Sequence, residues 1–326
     1  MNYQESKQIL QSIKAAKKIL ISSHIKPDED STGSIIALNL ALNKIGISSD
    51  LFCRDRAPEY LAFLPKAQKI KVVDYRNFDF SKYDLMIILD SSAWGMVVGS
   101  ELKDKLPDIS TIVIDHHASN NRYGKLNLLD IQATSVCEIV YKVLTDWKIK
   151  LDEDIANNLL AGITGDTGSF RYPFVTSETF EIAAKLMKAG ADREEIIYNL
   201  FFSIEFNELK YLSEALRVAT FDEKNKIVWA AIPYEKYLKL GKPEGSGFAG
   251  AFFQGIKGTK IGIFMVETEK GKLEVSFRAR DKVDVSKIST SLGGGGHKKA
   301  AGVSIYGMTF SDAVEHVLTT ARKYVR

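Results

Sequence analysis

Residues 111–117 change abruptly from an apolar run to three polar side chains. Residues 111–114 have the β-branched, apolar character of a buried strand, and Asp115, His116 and His117 follow them directly. Ligand crevices in open α/β sheets form at the carboxyl ends of the strands, so this stretch predicts a strand that ends in a functional site. Adjacent side chains of an extended segment point to opposite faces, which predicts different jobs for the two histidines.

Two further apolar runs also lead into polar residues. Residues 19–21 are followed by a polar loop at 22–34 and then by a helical apolar pattern at 35–45. Residues 85–89 form the other run, which ends at Asp90. Helical patterns alternate with these strands, which is typical of a mostly parallel sheet. We therefore predict an α/β fold whose polar residues gather at one edge of the sheet.

The chain is longer than one typical hydrophobic core, so we expect two domains in its 326 residues. Apolar periodicity predicts helices near residues 135–147, 152–164, 177–189, 192–202 and 207–218. Strands are predicted at 227–232, 260–266 and 272–279, and helices at 285–292 and 310–324. We place a mostly parallel-sheet domain at residues 1–200, a connecting helix or linker at 201–222, and a smaller α/β domain at 223–326.

Charge is unevenly distributed, although the formal net charge is only +3. Residues 271–326 hold ten Lys/Arg and five Asp/Glu, so this segment carries +5 and the remainder −2. A basic C-terminal lobe suits an anionic substrate, although +5 is also compatible with an ordinary solvated surface. We find no long basic stripe, which argues against binding of long duplex nucleic acid.

The cysteines and the apolar content indicate where the protein works. Cys53 and Cys137 form no metal or disulfide pattern, and each flanks apolar residues, so we expect buried thiols in a reducing compartment. The N-terminus has no apolar signal region, and no run of about 18 apolar residues occurs. We therefore expect a cytoplasmic protein without membrane contact.

Six residues are candidate metal ligands, and most of them lie at the ends of predicted strands. They are His24, Asp28, Asp30, Asp90, His116 and Asp166. Four carboxylates brought together would repel one another, and cations would relieve that repulsion. Two ions with one shared carboxylate suit six ligands better than one ion does. The mixed Asp/His set favours Mn²⁺, with Mg²⁺ or Co²⁺ as substitutes, and the absence of cysteine argues against structural zinc.

A pair of ions roughly 3.5–4 Å apart polarises phosphoryl oxygens and activates water for in-line displacement. The expected reaction is therefore phosphoester hydrolysis without a covalent nucleophile. Ser91 and Ser92 are then loop residues that form hydrogen bonds.

Five short motifs follow one another along the chain. They are His24-x-x-Pro27-Asp28-x-Asp30-x-x-Gly33-Ser34, Asp90 at a strand end, Asp115-His116-His117, Gly162-x-x-x-Asp166-Thr167-Gly168 and Gly293-Gly294-Gly295-Gly296-His297-x-x-Ala300-Ala301-Gly302. The first four resemble the motifs of the DHH phosphoesterase superfamily, which includes RecJ, and the last resembles its C-terminal DHH-associated domain. The match covers most of the chain. Its two-domain size is most similar to that of the nanoRNases/pAp phosphatases of the NrnA type.

The resemblance implies a role for each matching residue. His24 and Asp28 would hold one Mn²⁺, and the second would be held by Asp30, His116 and Asp166. Asp90 would bridge the two ions. Asp115 would orient an imidazole through its other ring nitrogen, and His117 would face the scissile phosphate.

The chain departs from the family pattern at two places. Ser31 and Thr32 replace an alanine and an apolar residue, so the packing of that loop is expected to differ. Residues 277–280 replace a Ser-Arg-Ser-like run, in which Arg278 still aligns while the role of Arg280 is in doubt.

The glycine run near the C-terminus is a candidate substrate-binding segment. Glycines permit positive φ and close backbone approach, and their amides can cradle an anion. The predicted substrate contacts are Arg278, Gly294, Gly295, Gly296, His297 and Lys298. A flexible linker is the alternative, but the following Ala300-Ala301-Gly302 is more typical of close packing.

We predict a Mn²⁺-dependent phosphodiesterase that cuts short oligoribonucleotides (nanoRNA) into mononucleotides and acts on 3′-phosphoadenosine 5′-phosphate (pAp) as a second substrate. Cyclic or linear di-adenylates are an alternative substrate, and pyrophosphate or polyphosphate is a more distant one. A nucleotide-binding regulator with an inactive metal site is the alternative from another class. Whether the protein forms a homodimer stays open.

Overall fold

The computed structural model describes residues 2–203, 206–243, 247–280, 283–296 and 298–325. It divides into two compact units, residues 1–203 and 204–326, each with its own sheet and its own apolar clusters. Among the helices of the described ranges, none combines the length and the apolar content that crossing a bilayer needs. Cys53 and Cys137 are both buried and unpaired, as the sequence indicated.

The first unit contains a six-stranded sheet in which all strands are parallel, in the order β3-β2-β1-β4-β5-β6. The strands are β1 (Ile19–Ser22), β2 (Ser49–Cys53), β3 (Lys71–Val72), β4 (Leu85–Leu89), β5 (Ser110–Asp115) and β6 (Leu126–Leu129). The predicted parallel sheet is therefore confirmed. Strands β2, β3 and β6 were missed, because they are short or mix polar with apolar residues.

Seven helices belong to the first unit as described. They are α1 (Glu5–Ala15), α2 (Glu29–Lys44), α3 (Trp94–Val98), α4 (Val136–Asp146), α5 (Glu153–Asp166), α6 (Ser177–Lys188) and α7 (Arg193–Ile197). A π-helical turn, Tyr198–Phe202, continues α7. The helix predicted at 192–202 is thus only partly α-helical.

The two faces of the first sheet are covered differently. Ile87 and Leu89 of β4 pack in one apolar cluster with residues of α2, α4 and α5. Met86 and Ile88, which point to the other face, pack with aromatic residues such as Tyr75 and with α3. Because successive side chains of a strand point to opposite faces, alternate residues of β4 pack into the two layers that cover the sheet. The second layer consists largely of short 3₁₀ turns and aromatic rings, for which the sequence predicted no regular element.

Helix α2 begins six residues earlier than predicted, so the loop after β1 is shorter than the predicted 22–34. The side chain of Asp28 accepts a hydrogen bond from the amide of Ser31, and the hydroxyl of Ser31 accepts one from the amide of Asp28. This reciprocal capping box satisfies amides that the first helical turn leaves unpaired. Asp30 therefore lies on the first turn of a helix.

The second unit contains a mixed six-stranded sheet in the order β11-β12-β10-β9-β8-β7. Its strands are β7 (Thr220–Asp222), β8 (Ile227–Ile232), β9 (Ile261–Glu269), β10 (Lys272–Ala279), β11 (Gly295–Gly296) and β12 (Ala300–Tyr306). Its helices are α8 (Phe206–Arg217), α9 (Tyr234–Lys239), α10 (Gly247–Gln254), α11 (Val285–Ser291) and α12 (Phe310–Arg322). Helix α8, which the sequence suggested as a connection, belongs to this second unit.

Candidate metal centre

Three neighbouring strands bring the candidate ligands to one edge of the first sheet. Strand β4 pairs with β1 on one side and with β5 on the other, and all three run in the same direction. His24 follows β1, Asp90 follows β4, and Asp115 is the last residue of β5. Because parallel strands end at the same edge, side chains distant in sequence meet there.

Asp90 lies at the centre of this cluster. Its Oδ2 atom is 3.3 Å from Nε2 of His24, whereas its Oδ1 atom is 3.7 Å from Nε2 of His116 and 3.5 Å from Nδ1 of His117. The Oδ1 atom is buried and has no hydrogen-bond partner among the residues that the structure describes. A buried carboxylate oxygen without a donor is unfavourable, and a cation would satisfy it.

Three overlapping groups of side chains have donor atoms that lie within 4.8 Å of one another. The first is His24, Asp28 and Asp90, the second is Asp30, His116 and Asp166, and the third is Asp90, His116 and His117. Together they contain all six candidate ligands. Imidazoles and carboxylates without thiolate suit divalent ions such as Mn²⁺. The residues present therefore fit two divalent ions.

Backbone carbonyls orient two of the histidines. Nδ1 of His24 is 2.7 Å from the carbonyl of Ile25, and Nδ1 of His116 is 3.3 Å from that of Ala133. A carbonyl can only accept a hydrogen bond, so in each ring Nδ1 carries the proton. The Nε2 atoms, which face the carboxylates, are then available for metal coordination.

Asp30 is fully buried and is held by the beginning of α4. Its Oδ2 atom accepts a hydrogen bond from the amide of Val136 at 2.6 Å, and its Oδ1 atom accepts one from the amide of Cys137 at 2.8 Å. Burial and the charge of Asp90 nevertheless raise the pKa of Asp30 to about 7. Crowded carboxylates therefore disfavour one another's ionisation in the absence of cations.

The motif glycines allow two ligand-bearing helices to approach closely. A Cβ atom at Gly162 of α5 would lie 2.9 Å from Oδ1 of Asp30 on α2 and would overlap the sulfur of Cys137. A Cβ atom at Gly33 of α2 would overlap the carbonyl of Asn158 on α5. Close packing of α2 and α5 places Asp30 and Asp166 on one site, so both glycines serve its geometry.

His24 and Asp28 stabilise each other's charged forms in the metal-free cluster. Burial favours neutral His24, but hydrogen bonds to Asp28 and Asp90 outweigh it and raise the histidine pKa to about 12. Burial likewise opposes ionisation of Asp28, whose pKa nevertheless falls to about 2 because of its hydrogen bond and charge interaction with His24. Burial and the charge of Asp30 raise the pKa of Asp166. In the metal-free cluster, protons held by groups with raised pKa values thus partly neutralise the negative charge of the carboxylates.

His117 is oriented by a hydrogen-bond chain that the sequence only partly revealed. Nδ1 of His117 is 2.7 Å from Oδ1 of Asp115, whose Oδ2 atom accepts a hydrogen bond from Nδ2 of Asn120 at 2.6 Å. Asn120 also donates to the carbonyl of Ser91 at 3.1 Å and so joins the loops after β4 and β5. No pattern in one sequence distinguishes Asn120 from other loop asparagines.

The expectation that His116 and His117 point to opposite faces is wrong. Their ring centroids are 4.7 Å apart, with an interplanar angle of 76°, and both rings reach Asp90. Strand β5 ends at Asp115, so the alternation of an extended strand does not continue through the pair. Burial lowers the pKa of His117, but its hydrogen bond to Asp115 outweighs this and raises it to about 9.

The two unusual residues of α2 have different environments. Ser31 and Thr32 are both fully buried. The Ser31 hydroxyl completes the capping box with Asp28, a contact that alanine could not make. The Thr32 hydroxyl has no hydrogen-bond partner within the described ranges.

The glycine run of the second unit forms part of a sheet. Gly295 and Gly296 pair with Gly302 and Ala301 of β12. A Cβ atom at Gly296 would lie 2.5 Å from Cα of Ala301, and φ is +133° there, so a side chain would not fit.

The other candidate substrate contacts lie around this sheet. Arg278 of β10 is paired with Ala300, and its Nη1 atom donates to the Ser276 hydroxyl at 3.1 Å. Gly294 is enclosed by Ser289, Gly302 and Val303. Lys298 is exposed, and the predicted contact His297 lies outside the described residues.

Two family models match the chain. The DHH family, N-terminal domain, matches residues 18–163, which contain five of the six candidate metal ligands. The DHHA1 domain matches residues 242–326. The chain therefore contains a DHH N-terminal domain followed by a DHHA1 domain, as its motifs indicated.

Two relatives align with nearly the whole chain. The bifunctional oligoribonuclease and PAP phosphatase NrnA of Thermus thermophilus is 28% identical over 305 residues, which are 94% of this chain and 89% of that protein. The protein of the same name from Bacillus subtilis is 26% identical over 322 residues, which are 97% and 98% of the two chains. The predicted similarity to the NrnA type is therefore confirmed.

Solved structures support the fold. An exopolyphosphatase-related protein from Bacteroides fragilis has a TM-score of 0.91 at 22% identity, over 98% of this chain and 96% of that one. RecJ of Thermus thermophilus in complex with Mn²⁺ has a TM-score of 0.59 at 12% identity, over 99% and 54%. At these identities the likeness establishes the α/β architecture alone.

Proposed function

We propose that the protein is a two-metal phosphodiesterase that hydrolyses short oligoribonucleotides to mononucleotides. One observation carries the proposal: the two oxygens of Asp90 face different groups of ligands, as a bridging carboxylate requires. The names of the NrnA relatives supply the substrate class.

The residues of the cluster would divide the binding of two Mn²⁺ ions between them. His24 and Asp28 would hold one ion, and Asp30, His116 and Asp166 the other, with Asp90 shared. Bound ions would supply Lewis acidity and activate water for attack on phosphorus. The carbonyl partners of His24 and His116 hold the imidazole rings in the tautomer that this binding needs.

His117 is proposed to contact the phosphate through Nε2. Its Nδ1 atom is engaged by Asp115, so a protonated His117 presents Nε2–H as a donor to an anionic oxygen. In the metal-free cluster, burial is outweighed by the hydrogen bond to Asp115, which raises the pKa of His117 to about 9. Asp115 is then a positioning residue that fixes the ring.

The second unit is proposed to bind the nucleotide. Arg278 offers a guanidinium that can pair with phosphate in bidentate fashion. The glycines at 294–296, with His297 and Lys298, would supply backbone and side-chain donors. Substitution of Arg278 by alanine should raise KM for a dinucleotide more than it lowers kcat, and unchanged KM and kcat would contradict this role.

Phosphatase activity on pAp is the second candidate function, because the NrnA relatives are named for both activities. The same metal cluster would accept a terminal phosphomonoester, since in both reactions a water attacks phosphorus opposite an oxygen leaving group.

The decisive experiment measures mononucleotide release from 5′-pApA with Mn²⁺, for the wild type and for Asp90→Asn. The wild type should release AMP, and the variant should lose most of its activity while keeping its circular dichroism spectrum. The hydrolysis rates are then compared with those for pAp, longer RNA, cyclic di-AMP and pyrophosphate, which ranks the substrates. No hydrolysis of any of them by protein that binds Mn²⁺ would contradict the proposal, and nucleotide binding without metal would favour a regulator.

A further inference from the structure

An exposed aromatic pair lies on the segment that follows the candidate ligand Asp166. The side chains of Tyr172 and Phe174 are 42% and 50% exposed. Their ring centroids are 5.7 Å apart, with an interplanar angle of 42°. Exposed rings that are adjacent and fixed offer apolar area at a low entropic cost, which is what stacking of a nucleobase requires.

Hydrogen bonds connect the segment that carries this pair to the residue that follows Asp166. The carbonyl of Thr167, the residue after Asp166, accepts hydrogen bonds from the amides of Arg171 at 3.0 Å and Tyr172 at 3.2 Å. The Thr167 hydroxyl also accepts one from the amide of Phe170 at 3.0 Å. The backbone of Tyr172 is therefore held against the residue next to a candidate ligand.

The turn that positions Tyr172 has an unusual backbone. Gly168, Ser169 and Phe170 have φ values of 56°, 59° and 61°, so three consecutive residues are left-handed. Such a run is unfavourable for Ser169 and Phe170 and persists only where the surroundings hold it. A Cβ atom at Gly168 would lie 2.7 Å from Cζ of Tyr172, so the tyrosine ring packs against the backbone of this turn.

The other end of the segment is also fixed. The amide of Val175 donates to the carbonyl of Tyr172 at 3.2 Å, and the Thr176 side chain then caps α6. The aromatic pair is thus anchored at both ends, so a ligand would meet an organised surface and lose little free energy in ordering it.

We infer that Tyr172 and Phe174 form a stacking platform for a nucleobase beside the scissile phosphate, which we call the aromatic platform. The inference rests on the proposed phosphodiesterase function. Arg171, the exposed residue before Tyr172, would supply positive charge for the attached phosphate; its Nε atom donates to the carbonyl of Gly168 at 2.5 Å, and its guanidinium lies over the ring of Phe201. Stacking needs no particular base edge, so the platform tolerates every base.

The first test measures binding without catalysis. The probe is 2-aminopurine riboside 5′-monophosphate, whose fluorescence is quenched when its base stacks. The wild type should quench it, and Tyr172→Ala/Phe174→Ala should bind it about tenfold more weakly, whereas Tyr172→Phe/Phe174→Tyr should retain binding. Equal affinity of the alanine variant and the wild type, or no quenching by the wild type, would overturn the inference.

Tyr306→Ala is the matched control. Tyr306 is 66% exposed and lies at the opposite end of β12 from Ala300, the partner of Arg278. This substitution removes an exposed ring of similar size. Within the second unit the ring is remote from the glycine run, so its loss should leave probe affinity unchanged.

The second test compares dinucleotides with and without a base at each position. At one position, removal of the base should raise KM about tenfold for the wild type, with kcat nearly unchanged, and should have little effect in the double-alanine variant. An equal base dependence in both proteins would overturn the platform. If the double-alanine substitution changed the oligomeric state and not KM, the surface would be a contact with a second copy of the chain, and the platform would likewise be overturned.

The two tests separate this inference from the proposed function. If the wild type binds the probe through Tyr172 and Phe174 but hydrolyses no phosphoester, the phosphodiesterase proposal fails and the platform remains. If it hydrolyses 5′-pApA but the platform substitutions change neither KM nor probe binding, only the platform fails.

Discussion

At the scale of single residues, Asp90 combines an unfavourable backbone with a central position. Its φ of 55° is left-handed, and its amide donates a hydrogen bond to the carbonyl of Ile114 at 3.0 Å, which holds this conformation at the end of β4. The sequence identified Asp90 as a strand-end carboxylate. It could not reveal the backbone angle or Asn120, because both depend on how the loops after β4 and β5 meet.

Asn120→Ala should lower kcat for 5′-pApA by about 10- to 100-fold, because Asp115 loses the donor that fixes it against His117. Mn²⁺ affinity measured by calorimetry should change much less, since the hydrogen bonds that the structure shows for Asn120 join it to Ser91, Asp115, Arg122 and His117, which are not among the six candidate ligands. Asn121→Ala is the control, because Asn121 is its exposed neighbour. Equal kcat values for the two variants would contradict the positioning role.

Gly162→Ala should weaken Mn²⁺ binding at least tenfold and lower the melting temperature. The added methyl group would push on Asp30 and Cys137, both of which are fully buried and have no space to move into. Gly250→Ala is a suitable control, because a Cβ atom there meets only ordinary contacts at 3.6 Å. Wild-type Mn²⁺ affinity in Gly162→Ala would show that the close approach of α2 and α5 is unnecessary.

At the scale of elements, the antiparallel pair α2 and α5 supports the site. Lys44 at the end of α2 forms an ion pair with Asp152, the N-cap of α5, at 2.7 Å, while Asp30 and Gly162 meet towards the other end. The sequence predicted β1, β4 and β5 and most helices, because their apolar periodicity is strong. The early start of α2 was missed because its first turn, residues 29–32, is polar and the apolar periodicity begins only at Ile35.

Asp152→Ala should lower the free energy of unfolding by about 1 kcal/mol, because the amide of Ile155 loses its side-chain acceptor. Asp152→Asn keeps a good N-cap and removes only the charge interaction with Lys44. Urea unfolding of both variants should therefore rank the wild type first, asparagine second and alanine last. An asparagine variant as unstable as the alanine variant would assign the effect to the charge.

The contribution of the Asp152 charge should depend on pH. Burial opposes ionisation, but the hydrogen bond from Lys44 outweighs it and holds the pKa of Asp152 below its usual range. The stabilisation is therefore fully present above the unfolded pKa of about 4 and is lost as pH falls through the folded pKa. The stability difference between wild type and Asp152→Asn should shrink between pH 7 and pH 3. A difference that grows in acid would contradict this sign.

At the scale of the whole molecule, the site depends on folding of almost the entire first unit. Its candidate ligands extend from His24 to Asp166 and come from loops, strand ends and helix ends that meet only in the folded sheet. Bound ions would therefore connect distant parts of the chain. Metal binding and folding are linked, because an unfolded chain offers no such cluster.

Mn²⁺ should raise the melting temperature of the protein in a concentration-dependent manner, and EDTA should reverse the increase. A concentration of 100 times Kd stabilises a single site by about 2.7 kcal/mol if the unfolded chain does not bind. Asp90→Asn should show a much smaller increase in scanning calorimetry. An equal increase in this variant would place the Mn²⁺ elsewhere.

The proposed sharing of Asp90 between two ions has a thermodynamic consequence. The first ion to bind would fix the orientation of Asp90 and change the charge felt by the second, so the two binding events would not be independent. Linkage requires this coupling to be reciprocal: whatever factor the first ion imposes on the affinity of the second, the second imposes on the first. Occupancy of the two ion sites would then be coupled, and a titration of the protein with Mn²⁺ would give a binding curve that departs from a simple hyperbola.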